Sequence, residues 1–124
     1  MKERFRAKML RIHFIEADRW HGEPLHEAIV KKCRELGIAG ATVYRGIEGF
    51  GESARIYHTH TLSISKNSPV MITVVDREEQ VVKLLPHLDE MIAGGLIAIS
   101  DVDVIRYFRK EATSGATIGE SSRQ

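Results

Sequence analysis

The stretch Gly37–His60 reads GIAGATVYRGIEGFGESARIYHTH, and the rest of the chain is organised around it. Leu36-Gly37 has the form of a helix stop, because glycine takes the left-handed conformation that closes a helix without a Cβ penalty. Ala41-Thr42-Val43-Tyr44 is a short apolar run that reads as a strand. Gly46, Gly49 and Gly51 follow, with Gly40 just upstream. The chain then turns polar and carries Arg55, Tyr57, His58 and His60. A strand that runs into glycines and then a long polar loop can present backbone N–H groups to a ligand. The same residue types also describe a bulged strand end followed by an exposed hairpin loop. The residues alone leave both readings open.

Composition narrows the class. A chain of 124 residues, 43% of them hydrophobic, suits one compact domain with a real core. Eighteen basic residues against 17 acidic ones leave a formal charge of +1. That balance gives no electrostatic case for nucleic acid or for an anionic membrane. A single cysteine, Cys33, excludes an intrachain disulfide and reads as a buried helix thiol. No apolar run approaches the roughly 18 residues that cross a bilayer. Met1–Lys8 leads into alternating residues and not into a signal-peptide core. The expectation is a cytoplasmic protein without direct membrane insertion.

Working outward, residues 1–7 are charged and read as a flexible N-terminus. Leu10, Ile12 and Phe14 then alternate with Arg11, His13 and Ile15, a period of two that predicts a strand with one buried face. Glu16–Glu23 is a polar connection whose lone tryptophan, Trp20, reads as an anchor onto the body. Pro24 suits the first turn of a helix, and Leu25, Ala28, Ile29, Cys33 and Leu36 recur at helical spacing up to Gly37. Beyond the central stretch, Thr61–Ser65 alternates as an extra strand, and Val70–Val75 is β-branched like a central one. Asp76 and Glu79 have capping spacing for a second helix through Val81, Leu84, Leu88 and Met91. Pro86 predicts a kink in it. Leu96, Ile97 and Ile99 open the last strand, Ser100-Asp101 reads as a bulge or bend in it, and Val102, Val104 and Ile105-Arg106-Tyr107 continue it. Residues 111–124 read as a disordered tail.

Two helices interleaved with four main strands predict an α+β fold, the ferredoxin-like split βαβ sandwich, with a four-stranded antiparallel sheet and both helices on one face. The domain runs over residues 8–110. Strands such as Val70–Val75 are apolar on both sides, so the face away from the helices needs a cover.

Ala41-Thr42-Val43 followed by Gly49-Phe50-Gly51 resembles the second strand and loop start of the PII signalling proteins. Asp18-Arg19-Trp20-His21-Gly22, Gly40–Gly46, Leu85-Pro86, Leu88-Asp89-Glu90-Met91 and Asp103-Val104-Ile105-Arg106 extend the resemblance to a PII-like uncharacterised family, DUF190, over roughly residues 8–108. The resemblance implies a homotrimer with a regulatory, signalling role and supplies no known activity; the motifs of the chain give no case for an enzyme. It implies a small ligand, an adenine nucleotide, held in clefts between subunits. Gly46, Gly49, Phe50 and Gly51 match one wall, and Arg106, with Arg109 nearby, matches the basic wall on the last strand. An arginine there suits phosphate, since its planar fork can hold two oxygens. Two departures bear on the ligand. The turn Ala93-Gly94-Gly95-Leu96-Ile97 lacks the phosphate-gripping lysine, and Phe108 stands at the second basic position. Both weigh against a triphosphate more than against a smaller phosphate. Residues 51–60, with Arg55, Tyr57 and His58, are the expected loop for a partner protein.

Two alternatives come from other classes. His58 and His60 form an i, i+2 pair that faces one way in an extended segment, so they could share a metal ion, with Glu48 or Glu52 as carboxylate partners. The chain could also be a ligand-free structural partner of a membrane transporter. No Walker loop, nucleophile elbow or His-Glu metalloprotease motif occurs in the sequence.

Overall fold

The computed structural model describes residues 1–51, 57–58 and 68–110, and its centre is a four-stranded antiparallel sheet. The elements in chain order are β1 (Lys2–Ile15), α1 (Leu25–Glu35), β2 (Ala41–Arg45), β3 (Pro69–Asp76), α2 (Glu78–Met91) and β4 (Leu96–Tyr107). The spatial order β2-β3-β1-β4 interleaves two split βαβ units, the ferredoxin-like topology.

Alternation decides the buried face. Leu10, Ile12 and Phe14 on β1 stand opposite Val74, Ile72 and Val70 on β3, and all six are buried. The helices close over them with residues spaced three and four apart: Leu25, Ala28, Ile29 and Cys33 from α1, and Val81, Leu84, Leu88 and Met91 from α2. Each fully buried aliphatic side chain contributes about 1.5–3 kcal/mol. The opposite face carries no helix. Tyr44, Met71, His13 and Leu96 form one cross-strand row on it, and Thr42, Thr73, Arg11 and Ala98 form the next.

The first strand starts earlier than its apolar residues indicate. Residues 2–7, expected as a flexible N-terminus, belong to β1 and pair with β4 from Lys2↔Tyr107 onward. Because β3 ends at Asp76, opposite Lys8, residues 2–7 and 102–107 form a two-stranded ribbon beyond the sheet. Isolated ribbons are marginal. Here Arg6–Asp103 at 3.1 Å and Lys8–Asp101 at 2.5 Å cross-link one side. Arg77 lies on the other side, 3.8 Å over the Phe5 ring, and donates to Glu3 at 2.7 Å. The expected tail, residues 111–124, and the expected extra strand at 61–65 lie outside the described residues.

Local signals explain the helix ends. Gly37 has φ 76°, and its N–H donates to the Arg34 carbonyl while the Ile38 N–H donates to that of Cys33. This paired closure leaves Ile38 packed in the core. At α2 the cap residue is Arg77, without a side-chain cap bond, and not Asp76 as the spacing suggests. The Asp76 carboxylate instead accepts from the Arg77 N–H at 2.7 Å and the Ala39 N–H at 2.9 Å, tying the start of α2 to the connection between α1 and β2. α2 runs unbroken through Pro86. β4 likewise runs unbroken through Ser100-Asp101, where the sequence suggests a bulge or bend. His21 and Gly22, both at positive φ, make a tight turn between Trp20 and Glu23, and Trp20 packs on the core.

Candidate functional site

The long connection between β2 and β3 is pinched at its base. Arg45, the last residue of β2, donates to both carboxylate oxygens of Glu16, one of them through Nε at 2.8 Å. The Glu16 N–H donates to the Ser68 carbonyl at 2.9 Å, and the Ser68 hydroxyl also bonds the Glu16 carboxylate. Glu16 therefore holds both ends of the connection. The Arg45 hydrogen bonds are the main reason that its carboxyl sits below the ordinary carboxylate value, with His26 adding to the effect. Just above, the Gly46 N–H donates to the Pro69 carbonyl at 2.7 Å. A Cβ on Gly46 would meet Pro69 Cγ at 2.7 Å, so intrachain packing accounts for that glycine.

The next glycines are not accounted for in that way. A Cβ on Gly49 would make ordinary contact with Pro69 at 3.8 Å, and one on Gly51 would meet nothing within 4 Å. Between them Phe50 is 72% exposed. A short ladder, Glu48↔His58 and Gly49↔Tyr57, sets the backbone of Tyr57 and His58 beside this stretch. Arg55 and His60 lie outside the described residues, as do the side chains of Tyr57 and His58. Among the described residues, no three His, Cys, Asp or Glu side chains gather as a metal-ligand set.

Arg106 stands at the other end of the molecule. It is exposed on β4 opposite Glu3, its guanidinium 5.1 Å from the Phe108 ring centroid. Among the described residues it makes no ion pair, since Glu3 is engaged by Arg77. Arg109 follows, also exposed. Gly46 lies at the level of Pro69, opposite Ile15 on β1. Glu3 and Ile15 are twelve residues apart, roughly 40 Å at the rise of an extended strand. One chain does not bring Gly46, Gly49, Phe50 and Gly51 together with Arg106 and Arg109. A site that uses both sets takes them from two chains.

Glu16 and Ser68 give no signal in the sequence. Each sits in a polar connection where acids and serines are ordinary, and only the fold brings them to Arg45. The turn before β4 has its own constraint. Gly95 has φ 134°, and a Cβ there would fall 2.0 Å from the His13 carbonyl oxygen, so the backbones of the turn and of β1 meet directly.

Sheet order and two helices on one face define a ferredoxin-like α+β fold. Within that class, the chain belongs to the DUF190 family, "uncharacterized ACR", which matches residues 7–104. A UPF0166 protein of Methanocaldococcus jannaschii is 40% identical over 102 residues, covering 82% of this chain and 94% of that protein. A UPF0166 protein of Aquifex aeolicus is 33% identical over 100 residues, covering 81% and 94%. Among solved structures, CPII of Thiomonas intermedia, bound to ADP and bicarbonate, matches with a TM-score of 0.61 at 23% identity, over 82% of this chain and 91% of CPII. A putative PII-like signaling protein of Thermus thermophilus matches with a TM-score of 0.55 at 17% identity, over 83% and 91%. At such identities the likeness is one of fold. Among the described residues no helix is long and apolar enough to cross a membrane.

Proposed function

We propose that this protein is a PII-like regulatory trimer. It binds an adenine nucleotide between subunits and addresses a partner protein through residues 51–60, without catalysis. The observation that carries the reading is the placement of the two candidate walls. Phe50, exposed between Gly49 and Gly51, stands at one end of the sheet, and Arg106, an exposed cation without an ion pair among the described residues, stands at the other. Neither is a site alone. A cyclic arrangement brings the arginine end of one chain to the glycine end of the next, once per interface. It also covers the apolar row Tyr44, Met71 and Leu96 on the helix-free face. CPII, solved with ADP and bicarbonate, supports the ligand class by analogy. With no lysine in the turn 93–97, a mono- or diphosphate fits better than a triphosphate.

Calorimetry with AMP, ADP and ATP tests this reading. The expected result is saturable heat with AMP or ADP, weaker binding of ATP, and loss in Arg106→Ala. No heat with any of the three refutes it. A second reading, a metal site, draws on the register Glu48↔His58. It predicts zinc or copper uptake that His58→Ala and His60→Ala abolish. A partner-only role predicts that partner capture survives both Arg106→Ala and Gly51→Ala.

A further inference from the structure

We infer that the helix-free face of the sheet carries an oxyanion site centred on Arg11. The site is separate from the proposed nucleotide cleft. Arg11 sits midway along β1, an interior strand of the sheet, with its side chain on the open face. Directly opposite it on β3 is Thr73, and opposite Thr73 on β2 is Thr42. Cross-strand neighbours of this kind have Cβ atoms about 4.5–5.5 Å apart, so two hydroxyls and a guanidinium line one row. His13 flanks Arg11 on the same side of β1.

Among the described residues, the face has no answering acid. Of the side chains that alternate onto it across the four-stranded part of the sheet, none is Asp or Glu. The carboxylates paired along the sheet lie elsewhere: Asp101 and Asp103 on the other side of β4, and Glu3 out on the ribbon under Arg77. Arg11 is exposed, and among the described residues it makes no ion pair or side-chain hydrogen bond. The polar row lies between more apolar surroundings, Tyr44, Met71 and Leu96 on one side and Met9 and Val75 on the other. A fixed row that offers donors, holds one permanent cation and excludes carboxylates selects an oxyanion: phosphate, sulfate or a ligand carboxylate. The proposed trimer would deepen the selection. A face enclosed between copies desolvates the guanidinium, and an identical face brings no carboxylate to neutralise it.

The test is a titration of sodium phosphate and sodium sulfate against sodium chloride at matched ionic strength, read by thermal shift and by calorimetry. The variants are Arg11→Met, Thr73→Val and, as a distant surface control, Arg34→Met, each made in the Arg106→Ala background so that phosphate at the proposed nucleotide cleft does not contribute. The expected result is a saturable rise in melting temperature with phosphate or sulfate over chloride. Affinity should fall tenfold or more in Arg11→Met, fall less in Thr73→Val, and stay unchanged in Arg34→Met. Because that background lacks the arginine of the proposed nucleotide cleft, either site can fail alone. A response equal to that of chloride, or one that Arg11→Met leaves intact, overturns the inference. So does an Arg11→Met variant whose assembly weakens equally in every salt, because Arg11 then has a protein carboxylate as its partner.

Discussion

Replacing Glu16 by Gln removes one charge from the base of the long connection and keeps the shape of the side chain. Glu16 has 19% of its side-chain surface exposed and Arg45 51%, so water screens the pair from one side. Charge-assisted hydrogen bonds contribute about 1.5–3 kcal/mol where they are shielded, and exposed pairs about 0–1 kcal/mol. An intermediate loss of about 1–2 kcal/mol follows, equivalent to about 4–10 °C in melting temperature for a domain of this size. The pH dependence has a definite sign. The Arg45 hydrogen bonds lower the Glu16 carboxyl in the folded protein, and unfolding returns it toward its ordinary 4.5. The contribution is complete above about pH 5 and is lost as the pH falls through the lowered folded value. Melts of wild type and Glu16→Gln from pH 8 to pH 3 should show a constant gap that closes below the ordinary value. A gap that does not narrow as the pH falls below the ordinary value, or none at pH 7, refutes the reasoning.

Gly46→Ala and Gly51→Ala should separate packing from binding: the first loses stability against the Pro69 ring, and the second leaves stability unchanged but weakens nucleotide binding in calorimetry. Gly95→Ala puts a Cβ against the His13 carbonyl at a positive φ and should cost more than about 3 kcal/mol in urea unfolding. Burial pushes the Cys33 thiol up to about 11, so a thiol reagent at pH 8 should react with it only as fast as the protein opens. Leu10→Ala, at a fully buried position, should lose about 2–5 kcal/mol in the same urea assay.

The core was legible because its residues keep one period each. Leu10, Ile12 and Phe14 alternate, Leu25, Ala28, Ile29 and Cys33 follow the helical spacing, and Gly37 punctuates. The ribbon was not legible. Lys2, Arg4 and Arg6 alternate with Glu3, Phe5 and Ala7, and the cover over the Phe5 ring is Arg77 at the start of α2, so the run reads as charged and displays no apolar face. Its pairing with β4 is a property of the partner strand, which sequence separation hides. Asp76 illustrates a second limit. Its position before α2 matches a cap, yet the nearby connection between α1 and β2 offers the Ala39 N–H, and the carboxylate ties that connection to the start of α2 instead. Of the candidate site, the glycine-rich turn and Arg106 were visible as residue types. Their placement at opposite ends of the sheet was not, because it follows from the register of β1 with β3 and β4.

That placement makes the central claim directly testable by subunit mixing. One variant, Gly51→Trp, blocks the glycine wall and keeps the arginine. The other, Arg106→Ala, keeps the glycine wall and loses the cation. Each alone should bind ADP poorly. Mixed by unfolding and refolding together, they should form rings in which one interface joins an intact glycine wall to an intact Arg106. Calorimetry should then recover binding at the wild-type affinity, with one ADP per mixed trimer. If the mixture binds no more than its two components do separately, the nucleotide site is not shared between chains and the proposed sensor is wrong.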